Sequence, residues 1–151
     1  MYIDCGKVVA VAVRSLGRLY DDSIPDMEEI YELVGLALEA SPIVALAGFD
    51  ALRQMGGERA GALARSALSP TEADHVRAAV ACLGEHAVES DLLEIIPFVG
   101  HQDWSVRAEI AEVLSNRGTR KGLPALLRRL EVEDDAFVRQ IVLRAIGRLE
   151  E

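Results

Sequence analysis

Aromatic residues are scarce in this 151-residue chain, at 5% of positions: three Phe, three Tyr and one Trp. An interior with so few rings has to be filled by Ala, Val, Leu and Ile, small side chains that let helices approach one another closely. The two cysteines, Cys5 and Cys82, stand far apart, with no His or Cys near them at metal-ligand spacing. That argues against a zinc site, and both read as small buried apolar residues in a reducing compartment. Positive charge is also short: the formal net charge is −9 and the pI about 4.8. A nucleic-acid binder needs a basic stripe and an anionic membrane surface attracts one, so neither is expected as a partner. No apolar run approaches the ~18 residues of a membrane span. The stretch 8–13 is short and follows Asp4, unlike a signal peptide, so a cytoplasmic location is expected.

Catalytic signatures are missing as well. There is no G-x-S-x-G, no Gly-rich phosphate loop followed by Lys, and no H-E-x-x-H. The three histidines, His75, His86 and His101, fall at a helix start, just past a helix end and in a turn, where a solvated imidazole is the default reading. The carboxylate pairs Asp21-Asp22 and Asp134-Asp135 fall at turns and helix starts, where they complement the helix dipole and require no catalytic role. No catalytic residue, metal or cofactor is expected.

What the chain does contain is a repeat. Val-Arg recurs at Val76-Arg77, Val106-Arg107 and Val138-Arg139, in steps of 30 and 32 residues, with a weaker echo at Val44. Each copy opens a helical apolar pattern and follows an acidic residue: Asp74, Asp103 or Asp135. Apolar spacing predicts helices over about 4–19, 24–39, 42–55, 58–68, 70–85, 90–99, 103–116, 120–131 and 134–149. Ser41-Pro42 and Ser69-Pro70 read as cap plus first-turn proline, and Ser69 to Glu72 fits a capping box. The expected buried stripes are Val76, Val80 and Leu83; then Val106, Ile110, Val113 and Leu114; then Val138, Val142, Ala145, Ile146 and Leu149. The opening helix carries Val8, Val9, Ala12, Leu16 and Gly17, a decayed half-repeat expected to cap one end. Gly35, Gly48 and Gly61 lie inside helices, where close helix approach is the usual compensation for their cost.

A helical period of this length marks an α-solenoid. The pattern of Asp, Val-Arg and a small-residue helix resembles HEAT repeats, in particular the short bacterial kind named after phycobilisome lyases. Asp103 to Arg107 with Leu114, and Asp135 to Arg139 with Ala145-Ile146-Gly147, carry the resemblance, which is good over 70–149 and weak over 1–69. It implies an all-α, right-handed solenoid forming a single domain over 1–151. An N-terminal half-repeat (1–20) would precede helix pairs 24–55, 58–85, 90–116 and 120–149. It also implies that Arg77, Arg107 and Arg139 form a structural ladder with Asp74, Asp103 and Asp135, each Arg bridging its own helix-start Asp or that of the next repeat.

In solenoids of this kind the second helix of each pair lines the concave side. The outward positions there would be Asp50, Gln54, Ala79, Cys82, Glu109, Glu112, Asn116, Gln140, Arg144 and Arg148, a mixed strip suited to a protein partner. Trp104 fits either an inter-helix wedge or an exposed anchor. No Lys or Arg occurs between Arg18 and Arg53, a stretch holding Asp21, Asp22, Asp26, Glu28, Glu29, Glu32, Glu39 and Asp50. It reads as a solvated face or as a docking edge for a basic partner. Basic residues gather toward the other end, so head-to-tail self-association is one possible consequence.

A non-enzymatic interaction module or adaptor accounts best for these features. Family analogy offers a lyase-like or chaperone subunit acting on a tetrapyrrole-carrying protein, with Cys82 as its only handle. A nucleic-acid enzyme resembling HEAT-like DNA glycosylases would need a basic concave face, which the net charge opposes.

Overall fold

Two of the three recurring aspartates begin helices in the same way. Asp103 Oδ1 accepts from Ser105 N–H at 2.8 Å, and Asp135 Oδ1 from Phe137 and Val138 N–H at 2.9 and 3.0 Å. Each satisfies backbone donors that the first helical turn leaves unpaired. The computed structural model describes residues 4–151 apart from 22, 24–27 and 69–71. Its helices are α1 (Cys5–Leu19), α2 (Glu28–Leu38), α3 (Pro42–Met55), α4 (Gly57–Ser66), α5 (Ala73–His86), α6 (Glu89–Leu92), α7 (Trp104–Asn116), α8 (Leu123–Val132) and α9 (Ala136–Glu150). The helix α6 continues as a 3-10 segment, Leu93–Gly100, and a 3-10 turn, Arg120–Gly122, leads into α8. Among the described residues there is no strand.

The helices form two layers. In one, α1, α3, α5, α7 and α9 pack in succession; in the other, α4 meets α6 and the 3-10 segment meets α8. Across the layers α2 packs on α3, α4 on α5, the 3-10 segment on α7, and α8 on α9. This is an all-α solenoid. The stripes of α5, α7 and α9 are buried as the periodicity predicts, with Val76, Val80, Leu83, Val106, Ile110, Leu114, Val138 and Val142 fully enclosed.

Several local expectations need correction. The helix expected over 70–85 is described from Ala73, and Glu72 is its N-cap in an extended conformation, so it is not the third helical residue of a capping box. Ser69 and Pro70, like the expected start of α2 at 24, lie outside the described residues. Ser41 is the N-cap of α3 with Pro42 in the first turn, but its side chain makes no capping bond. The helix expected over 90–99 becomes 3-10 after its first turn, where Pro97 removes a backbone donor.

The opening helix α1 does not turn the apolar positions Val8, Val9 and Ala12 inward. It buries Ala10, Val13 and Gly17. Close approach decides which face turns inward. A Cβ at Gly17 would stand 2.6 Å from Ala51 Cα, so only the Ala–Gly edge of α1 fits so near α3. The larger Val8, Val11 and Leu19 then point outward.

Candidate functional site

The expected ladder of arginines is irregular. Arg77 pairs with Asp74 on its own helix, as read from the sequence. Arg107 does not meet Asp103 or Asp135. Its Nε and Nη2 donate to Glu133 Oε2 and Oε1 at 2.8 and 2.9 Å, and its Nη1 donates to the carbonyls of His101 and Gln102, both at 2.9 Å. Glu133 is fully enclosed and also accepts from Arg129 Nε at 2.8 Å and Asp135 N–H at 3.1 Å. A buried guanidinium requires a carboxylate placed to take both parallel bonds, and Glu133, two residues before the cap, is in position. The position two residues before Asp103 is His101, so Arg77 has no such carboxylate and turns back to Asp74. Arg139, in the last helix, donates to the Leu130 carbonyl at 2.7 Å.

The outward surface of the odd-numbered helices carries most of the predicted strip. Polar pairs cross from helix to helix along it. Arg14 of α1 reaches Asp50 of α3 at 2.9 Å, Arg53 of α3 reaches Glu85 of α5 at 3.0 Å, and Arg148 of α9 reaches Asn116 of α7 at 3.2 Å. Arg117 of the α7 C-cap donates to the carbonyls of Leu83, Gly84 and Ala87 at 2.7–3.2 Å, placing a cation on the last turn of α5. Sequence reasoning missed Arg14, Arg53, Glu85, Arg117 and Glu133. The signal was available for the inter-helix pairs, whose separations of 36, 32 and 32 residues are close to one repeat.

Three shallow grooves lie between these helices. One, of about 490 Å³, is bordered by Arg14, Arg18, Asp50, Arg53 and Gln54. The next, of about 330 Å³, includes Arg53, Glu85, Glu109, Asn116 and Arg117. The third, of about 190 Å³ between α7 and α9, includes Glu112, Asn116, Arg144 and Arg148. Burial, and then the neighbouring charge of Glu112, raises the Glu109 carboxyl above its ordinary range. The structure therefore brings Asp50, Gln54, Glu109, Glu112, Asn116, Arg144 and Arg148 to one grooved face. Gln140 is exposed on α9.

Two strip positions are corrected. Ala79 and Cys82 are buried, because α5 is packed by α3 and α7 on its flanks and by α4 across the layers. Cys82 Sγ approaches the Ala60 carbonyl at 3.9 Å, and burial pushes its thiol up to about 12. A thiol held there is neither exposed nor a thiolate at neutral pH, whereas Cys5, expected to be buried as well, is exposed in the first turn of α1. Trp104 stands 51% exposed, with its ring edge-on to Phe137 at 5.8 Å. It is thus an exposed residue that also packs, joining the first turns of α7 and α9.

The histidines are more constrained than solvated imidazoles. His86 Nε2 lies 2.9 Å from the Arg53 carbonyl, and His101 Nδ1 accepts from Asp103 N–H at 3.0 Å. His75 lies tilted against Phe49, its Nε2 buried without a hydrogen-bond partner among the described residues. No group of three or more His, Cys, Asp or Glu among the described residues is placed to hold a metal ion. None of the described helices is long and apolar enough to cross a membrane.

A family model described as HEAT repeats matches residues 66–147, more than half of the chain. No curated protein and no solved structure matches it.

Proposed function

The chain belongs to the HEAT-repeat family, and from that premise we propose that it is a non-enzymatic adaptor that holds a protein partner on its odd-helix face. HEAT repeats generally mediate protein–protein interaction. The observation that carries the reading is the row of polar grooves between α1 and α9, framed by cross-helix pairs that hold the side chains in place. Pre-ordered side chains lose less entropy on binding, which suits a recognition surface. Glu112 and Arg144, both exposed across one groove, offer charges of either sign to a partner. The one residue the bilin-transfer reading rested on, Cys82, is buried, and the net charge of −9 gives a DNA-binding reading no electrostatic support.

The test is affinity capture from the source lysate with wild type and with Glu112→Lys/Arg144→Glu, identifying retained proteins by mass spectrometry. A partner kept by wild type and lost by the still-folded variant supports the reading. A partner retained equally by both places the interaction elsewhere.

A further inference from the structure

The even-helix layer carries a groove of its own. While α4 packs on α6 and the 3-10 segment on α8, α2 and α4 meet at one end, where Arg59 pairs with Glu28 and lies over the Tyr31 ring, and an open groove of about 560 Å³ lies between them beyond that contact. Its walls are apolar: Leu36 and Leu38 from α2 and Leu63 from α4. Leu36 is 66% exposed, and Leu33 beside it 50%. The floor is kept low by Gly35, where an added Cβ would meet nothing nearer than Leu63 Cδ2 at 3.9 Å. This glycine therefore differs from Gly61, whose added Cβ would stand 2.7 Å from Ala87 Cα. Close helix packing requires a glycine at 61 and does not require one at 35.

The rim is acidic. Glu32 on α2 and Glu39, in the turn just past its end, border the groove seven residues apart, with Leu36 between them. Neither makes an ion pair among the described residues. The nearby cations are engaged: Arg59 pairs with Glu28 and lies over the Tyr31 ring, and Arg65 pairs with Asp91 at 3.2 Å.

We propose that this groove docks a basic amphipathic helix of a partner protein. Apolar residues on successive turns would enter between Leu36 and Leu63, and Lys or Arg side chains two turns apart would meet Glu32 and Glu39. Laying an apolar helix face into a groove is a recurrent recognition mode, and the acidic rim selects the basic flanks. This site lies on the opposite layer from the odd-helix face and does not depend on it.

The probe is a fluorescein-labelled 18-residue helical peptide with Leu at successive turns and Lys flanking them seven residues apart. A matched peptide has Glu in place of Lys. Fluorescence anisotropy is read with wild type, Gly35→Trp, Glu32→Lys/Glu39→Lys and Glu112→Lys/Arg144→Glu. Circular dichroism confirms that each is folded. The expected result is at least tenfold tighter binding of the basic peptide, weakening as salt rises. Binding should be lost with Gly35→Trp and with the Glu32→Lys/Glu39→Lys pair, and retained with Glu112→Lys/Arg144→Glu. Equal binding of both peptides, binding unaffected by Gly35→Trp, or no binding at all overturns the proposal. So does a concentration-dependent increase in mass of the protein alone that Gly35→Trp abolishes, which would make a second copy the occupant. Loss of binding in the odd-helix variant with retention in Gly35→Trp would also overturn it.

Discussion

Arg107 and Glu133 share two parallel hydrogen bonds of 2.8 and 2.9 Å, in a pair that ties the start of α7 to the loop before α9. The same guanidinium holds the His101 and Gln102 carbonyls, so one side chain fastens the loops of adjacent repeats together. Arg107→Met would leave Glu133 enclosed without its main counter-charge. A loss of ~3–5 kcal/mol in urea unfolding is expected. A loss below ~1 kcal/mol would show that the pair contributes little.

The same pair sets an acid dependence. Burial of Glu133 favours its neutral form, but the bonds from Arg107, Arg129 and Asp135 N–H prevail and lower its pKa from 4.5 to about 2. The folded state thus binds this proton more weakly than the unfolded chain. The stabilisation is complete above pH ~4.5 and is lost as pH falls toward ~2, a change of roughly 2–3 kcal/mol. Urea titrations across that window should show a shallower slope for Glu133→Gln than for wild type.

The helical glycines should separate by sign. Gly35→Ala gains helix propensity with room to spare, so an increase of ~0.5–1 kcal/mol is expected. Gly17→Ala and Gly61→Ala place a Cβ 2.6–2.7 Å from backbone atoms of Ala51 and Ala87. Overpacking of that kind costs ~1–3 kcal/mol, readable as a lower urea midpoint.

Leu114 is fully buried, its methyl groups close to Gly122. Leu114→Ala should cost ~2–5 kcal/mol, as deletion from a packed core does. A small loss would mean that α7 can collapse onto α8 and fill the gap.

Glu112→Lys and Arg144→Glu alter exposed side chains on the odd-helix face. Each should leave stability within ~0.5 kcal/mol, checked by urea unfolding. If both unfold the protein, the groove between α7 and α9 is structural and not a free surface.

The repeat was legible because Val106, Val138 and Val76 occupy equivalent core positions, and periodicity reports burial directly. Asp103 and Asp135 were legible as the acids at the helix starts but were read as ladder partners of the arginines, whereas the structure uses them as N-caps. The partner of Arg107 was not legible. Residues 103 and 135 mark the repeat, but Glu133 is enclosed by the α7–α9 packing and takes the guanidinium instead. The inward face of α1 was hidden because valine looks like core in any register, and only the approach of Ala51 to Gly17 excludes the larger residues. Cys82 and Ala79 were misplaced outward because one helix face was assigned to the surface, whereas α5 is covered by α3, α7 and α4 together, with Cys82 against α4.

The helices, their repeat and their shared apolar stripes follow from spacing along the chain. Which glycines carry a close crossing, and which one opens a groove, depends on how the helices pack. Gly17, Gly35 and Gly61 are identical as residues, and the distance to the facing helix assigns their roles. The same holds for charge. A count of −9 describes the whole molecule, whereas the Arg107–Glu133 bridge and the carboxylates flanking Leu36 depend on which side chains the packing brings within a few ångströms.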